Sequence, residues 1–88
     1  MCRLASADLV AARIVQAVNW LMEFPQSGRV VPELDREDVR EVIRGTYRIV
    51  YRYRSAAAEA QILTVFHGAR LFPVADVARA EREADTEE

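Results

Sequence analysis

The chain has 88 residues and a formal net charge of −2, so it can form one small domain and is not a strongly basic nucleic-acid-binding protein. It has no run of about 18 apolar residues, so we expect no membrane association through a spanning helix. The first seven residues lack an apolar signal-peptide segment, and the single cysteine, Cys2, has no internal disulfide partner. We therefore expect a cytoplasmic protein.

The charge is distributed unevenly along the chain. Residues 1–74 hold ten arginines and eight acidic residues, whereas residues 75–88 hold two arginines and six acidic residues. We expect a domain over residues 1–74 and an acidic, partly disordered tail over residues 75–88, with at most a weak helix over residues 74–84. All basic side chains are arginine, which suits bidentate contact with phosphate or carboxylate, although codon usage in a GC-rich genome explains this equally well.

The first predicted element is a helix from Ser6 to Phe24, which Pro25 ends. Its apolar residues recur at steps of three and four, which predicts one face packed against a core. Trp20 lies at the edge of that face. We interpret Trp20 as a packing residue, with contact to a partner protein as the alternative.

Three strands are predicted next, over residues 39–44, 45–54 and 61–67, with a tight turn at Gly45 and Thr46. Before them, only Val30 and Val31 suggest a further short extended piece. The predicted fold class is therefore α+β: one long N-terminal helix packed on a three-stranded antiparallel β-meander.

The middle strand alternates strictly between two kinds of side chain. Its odd positions from Tyr47 to Tyr53 are aromatic or branched, and we expect them to face the helix. Its even positions include Arg48, Arg52 and Arg54, which we expect on an open face of the sheet. What this arginine row binds is the question that decides the function.

The pairing that keeps both faces of the sheet consistent places Arg48 opposite His67, the only histidine, with Arg70 just beyond the strand. A neutral imidazole beside guanidinium groups supplies a base, an acid and a charge stabiliser, which is the minimum set for RNA cleavage by 2′-OH attack. His67, Arg48 and Arg70 are therefore catalytic candidates. The alternative is a hydrogen-bonded structural histidine beside a solvated arginine row.

Other kinds of site are not expected from the sequence. One histidine and one cysteine cannot form a zinc site, and no glycine-rich phosphate-binding motif is present, so we expect no metal and no cofactor. We interpret the acidic cluster between Asp35 and Glu41 as a solvated surface. Arg29 and Arg40 are its expected ion-pair partners, of little energetic value if exposed.

Five short segments, in order, resemble the RelE/ParE superfamily of bacterial toxins. They are WLMEFP at 20–25, SGR at 27–29, VRE at 39–41, YRIVY at 47–51 and VFHGAR at 65–70. The similarity extends over roughly residues 11–73. The loop after the helix and the HGAR ending are more similar to the ParE branch.

The resemblance implies the toxin of a type II toxin–antitoxin, or plasmid stabilisation, system, which inhibits growth and is neutralised by a cognate antitoxin that wraps it. ParE-like members poison DNA gyrase, whereas RelE-like members cut mRNA on the ribosome with residues of the open sheet face. We expect the ParE-like activity. The alternatives are a RelE-like mRNA interferase, which is an enzyme, and a non-toxic remnant that only binds antitoxin; a homo-oligomer and a toxin–antitoxin hetero-oligomer both stay open.

Family members usually begin with a strand and a first helix, for which the residues before Ser6 are too few. We therefore expect unpaired sheet backbone and uncovered apolar surface. An acidic, amphipathic antitoxin segment suits such a surface beside an arginine row, and its association should be salt-sensitive. The partner-binding candidates are Arg48, Arg52, Arg54 and Trp20.

Overall fold

Two helices and four strands make up the fold in the computed structural model, which describes residues 6–86. The elements are α1 (Ser6–Glu23), β1 (Arg29–Val30), β2 (Val39–Arg44), β3 (Tyr47–Arg54), β4 (Glu59–His67) and α2 (Val74–Thr86). The α+β class is confirmed. Cys2 and residues 87–88, the last of the predicted acidic tail, lie outside the described residues.

The strands form one antiparallel sheet in the order β1-β2-β3-β4. The prediction of three strands was wrong by one, because β1 has only two residues and is too short to show a periodic pattern. Gly45 opens the β2–β3 turn with a φ of 59°, a conformation that glycine adopts without steric cost. The predicted division at residue 74 into a domain and a tail stays a prediction.

One face of the sheet packs against α1, as the alternation in β3 predicts. Ala17 and Leu21 of α1 meet Val42, Ile49 and Tyr51 in one hydrophobic cluster, and Tyr51 is fully buried. The odd positions of β3 therefore face the first helix. The helix α1 lies on this face because its apolar residues recur on one side.

The opposite face of the sheet is covered, and the prediction that it is open was wrong. Val39, Val50 and Phe66 of the sheet form a second cluster with Val31 from the loop and Val77 from α2. The 13-residue helix α2 is also longer and better packed than the weak helix expected. The alternation of side chains along β3 shows that the two faces of the sheet differ. It does not show whether the polar face is exposed to solvent or is paired with carboxylates from other parts of the chain.

The predicted pairing of Arg48 with His67 was wrong by one residue. Tyr47 lies opposite His67, Arg48 lies opposite Phe66, and the β3–β4 register shifts again at Val50. The criterion of consistent faces does not predict this register, because it places an arginine beside a phenylalanine. The guanidinium group of Arg48 lies over the Phe66 ring, 5.1 Å from its centre, so the contact is favourable rather than a mismatch.

Candidate functional site

Arg48, the first residue of the predicted row, is held on every side by its own chain. Its Nε donates to a carboxylate oxygen of Glu41, and its two Nη atoms donate to the two oxygens of Glu33 at 2.9 Å. Its guanidinium group also contacts the rings of Phe66 and Phe72, 5.1 and 5.3 Å from their centres. All three of its side-chain nitrogens are therefore bound, and only 12% of the side chain is exposed.

Glu41 is the residue of this site that the sequence interpretation missed. Its side chain is completely buried, and its second oxygen accepts a hydrogen bond of 2.7 Å from Arg29. The expectation of a solvated acidic cluster is wrong for Glu41. A signal was present, because Glu41 stands two residues after Val39 in β2 and so points to the same, buried, face.

Arg52, the second residue of the row, is bound by the C-terminal helix. Its Nη atoms contact Asp85 at 2.7 Å and Glu81 at 3.2 Å, and Gln61 of β4 accepts a further bond at 2.8 Å. Its side chain is also only 12% exposed. The acids of α2 therefore neutralise the arginine that was expected to attract an external partner.

These ion pairs favour the charged form of each partner. The guanidinium of Arg48 lowers the pKa of Glu33 through hydrogen bonds, and the guanidinium of Arg52 lowers the pKa of Asp85 in the same way. Conversely, Asp85 and Glu81 raise the pKa of Arg52. Arg48 and Arg52 therefore stay charged, and the lowered pKa values keep Glu33 and Asp85 ionised well below neutral pH.

His67 is exposed at the end of β4, next to Tyr47, with the two rings edge to face and their centres 5.5 Å apart. Its Nδ1 accepts a hydrogen bond of 3.1 Å from the backbone N–H of Ala69. The neutral imidazole consequently carries its proton on Nε2. In this tautomer the ring presents a donor to solvent and not the free basic nitrogen that a general base needs.

Arg48 and His67 nevertheless line one open cleft of about 460 Å³, together with Arg29 and the backbone of the two nearby turns. The third catalytic candidate, Arg70, does not line it. The backbone N–H of Arg70 closes a turn onto the His67 carbonyl at 3.0 Å. The remaining candidate, Arg54, lines a separate shallow cleft beside Asp85.

The loop after α1, whose motif carries part of the family resemblance, is fixed by Tyr51. The Tyr51 hydroxyl accepts a bond from the Gly28 N–H and donates one to the Pro25 carbonyl, both at 2.8 Å. Trp20 donates from Nε1 to Ser27 Oγ at 3.0 Å. These motif residues therefore hold the loop that delivers Arg29 to Glu41, which is a structural role.

Several large apolar side chains of α1 are exposed to solvent. Trp20 is 49% exposed and stacks on Phe24, with ring centres 4.5 Å apart. Leu9, Val15 and Met22 are also exposed. None of the described helices is long and apolar enough to cross a membrane, and within residues 6–86 no group of three or more histidine, cysteine or acidic residues is placed to hold a metal ion.

Comparison with known proteins assigns this arrangement to a class. One family model, the ParE toxin of the type II toxin–antitoxin system parDE, matches residues 2–72. The fold and the match together define a type II toxin of the RelE/ParE superfamily. Within that superfamily, the chain belongs to the ParE toxin family. No curated protein and no solved structure shows a significant match to it.

Proposed function

We propose that this protein inhibits growth by binding DNA gyrase and that a cognate antitoxin neutralises it. We favour gyrase over mRNA as the target because the catalytic candidates are already engaged in hydrogen bonds within the chain. The nitrogens of Arg48 are bound by Glu33 and Glu41, and Nδ1 of His67 is occupied by a backbone N–H. Such a set is suited to holding a structure rather than to moving protons.

For the antitoxin, we propose contact through exposed apolar residues of α1, with Trp20 as the main anchor. Aromatic side chains that are half exposed and already ordered are favourable anchors in interfaces. Trp20 is 49% exposed, so about half of its surface is accessible to a partner. Arg54 is not part of this surface, because it lies beside Asp85 of α2.

A second function, cleavage of mRNA, is favoured by one observation. Arg29, Arg48 and His67 line the same cleft, and 60% of the Arg29 side chain is exposed there. A phosphodiester bound to Arg29 would lie beside an imidazole N–H donor. Cleavage would then require another group as base, because His67 is set as a donor.

The experiment that separates the two functions compares the purified wild-type protein with His67→Ala in two assays. One measures supercoiling by DNA gyrase, and the other measures ribosome-dependent mRNA cleavage. We expect both proteins to inhibit supercoiling equally and to leave mRNA intact. The substitution is a fair test because His67 is exposed and its polar contact within residues 6–86 is with Ala69.

Two results would contradict this proposal. Cleavage of mRNA by the wild type that His67→Ala abolishes, with an unchanged circular dichroism spectrum, would establish the interferase. Normal growth on induction of the wild-type protein without antitoxin would rule out growth inhibition and favour the non-toxic remnant that only binds antitoxin.

A further inference from the structure

A small cleft, here called the turn cleft, lies between α1 and the turn that joins β2 to β3. It shares only Gly45 and Thr46 with the cleft that His67 lines, so the two are separate. Its volume of about 160 Å³ is below the range of about 300–1,000 Å³ that pockets for whole small-molecule ligands occupy. The turn cleft therefore has room for a small ion or for one group of a larger molecule.

The periodicities of the helix and the strand bring two arginines to this cleft. Arg13 lies on the same side of α1 as Val10 and Ile14, three residues after the first and one before the second, and all three line the cleft. In β2, Val42 belongs to the cluster under α1, so Arg44, two residues later, faces α1 as well. The two guanidinium groups therefore meet just beyond the end of the hydrophobic cluster.

The positive charge of the turn cleft is not balanced by the chain. Nη1 of Arg13 lies over the turn, 3.7 Å from the position that a Cβ on Gly45 would occupy. Nη1 of Arg44 donates to the carbonyl of Ile43 at 2.9 Å, which orients the guanidinium group without neutralising it. No acidic residue lines the cleft, and neither arginine forms an ion pair within residues 9–86. An anion between the two groups would stabilise both.

The turn adds further donors on the floor of the same cleft. Neither the N–H of Gly45 nor that of Thr46 donates a backbone hydrogen bond within residues 6–86. Backbone N–H groups of tight turns bind anions in many proteins. A planar carboxylate is matched by the fork of one arginine, whereas a phosphate group has oxygens that accept from several directions. Donors that come from a helix, a strand and a turn therefore favour phosphate.

We propose that the turn cleft is a binding site for a phosphate group, held by Arg13, Arg44 and the N–H groups of the turn. The phosphate has two possible sources, inorganic phosphate and the phosphodiester backbone of a nucleic acid. That the source is the DNA on which gyrase acts rests on the proposed function, whereas phosphate binding itself does not.

The test titrates the full-length protein with sodium phosphate at constant ionic strength and pH, followed by proton–nitrogen NMR. The amide signals of Gly45 and Thr46 and the Nε–H signals of the two arginines should shift and saturate. Arg13→Gln and Arg44→Gln should each bind phosphate about tenfold more weakly, because each loses a charged hydrogen-bond donor. The matched control, Arg82→Gln, removes the same charge from an exposed position of α2 and should bind phosphate as the wild type does.

A second titration distinguishes the two sources of phosphate. Thymidylyl-thymidine carries one phosphodiester and no other phosphate. If it shifts the same signals and competes with inorganic phosphate, the result supports the site with a nucleic acid as its ligand. If it leaves the signals unchanged while phosphate saturates them, the result supports the site with free phosphate as its ligand.

Three results would overturn the proposal. The first is a linear shift in the wild-type protein that does not saturate, and the second is equal phosphate affinity in the wild type and in the two arginine variants. If one variant does not fold, the other carries the comparison. The third is tighter binding of acetate than of phosphate, which would assign the turn cleft to a carboxylate of a partner protein. Because the readout is phosphate binding, a failure of gyrase inhibition would leave this result unaffected.

Discussion

Replacing Glu41 by glutamine should destabilise the protein by about 3 kcal/mol, since removing one partner of a buried ion pair leaves the other charge uncompensated. Both carboxylate oxygens of Glu41 accept bonds from guanidinium groups, one from Arg29 and one from Arg48. A glutamine amide would turn an N–H₂ donor toward one of these donors. The side chain of Glu41 is completely buried, so water cannot compensate.

The matched control is Glu33→Gln, which removes the other carboxylate that binds Arg48. The side chain of Glu33 is 39% exposed, so its loss should cost no more than about 1 kcal/mol. Urea unfolding followed by circular dichroism measures both variants against the wild type. If both variants lost the same free energy of unfolding, the burial of Glu41 would not be the cause of the larger expected effect.

Replacing Gly28 by alanine should also destabilise the fold by about 3 kcal/mol, from steric crowding together with a lost buried hydrogen bond. The added Cβ would lie 2.5 Å from the Tyr51 hydroxyl oxygen and 2.8 Å from the Glu41 backbone carbonyl. Tyr51 is fully buried in the α1 cluster, so its ring cannot move without opening the core. A displaced Tyr51 hydroxyl would lose both the hydrogen bond that it accepts from the Gly28 N–H and the one that it donates to the Pro25 carbonyl.

Two further variants test whether the collision with Tyr51 causes the destabilisation expected for Gly28→Ala. Gly68→Ala places a Cβ no closer than 3.2 Å to a neighbouring atom and should cost about 1 kcal/mol or less, so it controls for the loss of glycine itself. The pair Gly28→Ala and Tyr51→Phe should be non-additive, because phenylalanine lacks the closest colliding atom. Strict additivity in unfolding free energies would mean that the two residues act independently.

Local patterns in the sequence predict much of this fold. The strand from Val39 to Arg44 has the bounds that were expected, and the odd positions of β3 face α1 as the alternation requires. The helix α1 ends one residue before the position predicted from Pro25. These features depend on neighbours in the chain, so a local pattern is enough to define them.

The role of the arginines could not be predicted in this way. Arg48 is satisfied by Glu33 and Glu41, and Arg52 is satisfied by Glu81 and Asp85, and three of these four acids lie more than ten residues away. A row of arginines on a strand looks the same in sequence whether water, a partner or distant carboxylates neutralise it. The register error has the same origin, because stacking of a guanidinium group on a phenylalanine is a tertiary contact.

The chain's own carboxylates are what neutralise Arg48 and Arg52, and a titration of the acids tests this most directly. A folded pKa that lies below the unfolded one adds stability above the unfolded value, and this stability is lost as the pH falls through the folded value. Here that window lies below about pH 4 for Glu33 and Asp85.

Carbon-13 NMR of the side-chain carboxyl groups in the folded protein measures these two pKa values. We predict that both lie below the ordinary range, and that Arg48→Gln returns only the pKa of Glu33 to it. Ordinary pKa values for both acids in the wild-type protein would mean that the arginine face is open to solvent and to partners, which contradicts the arrangement described.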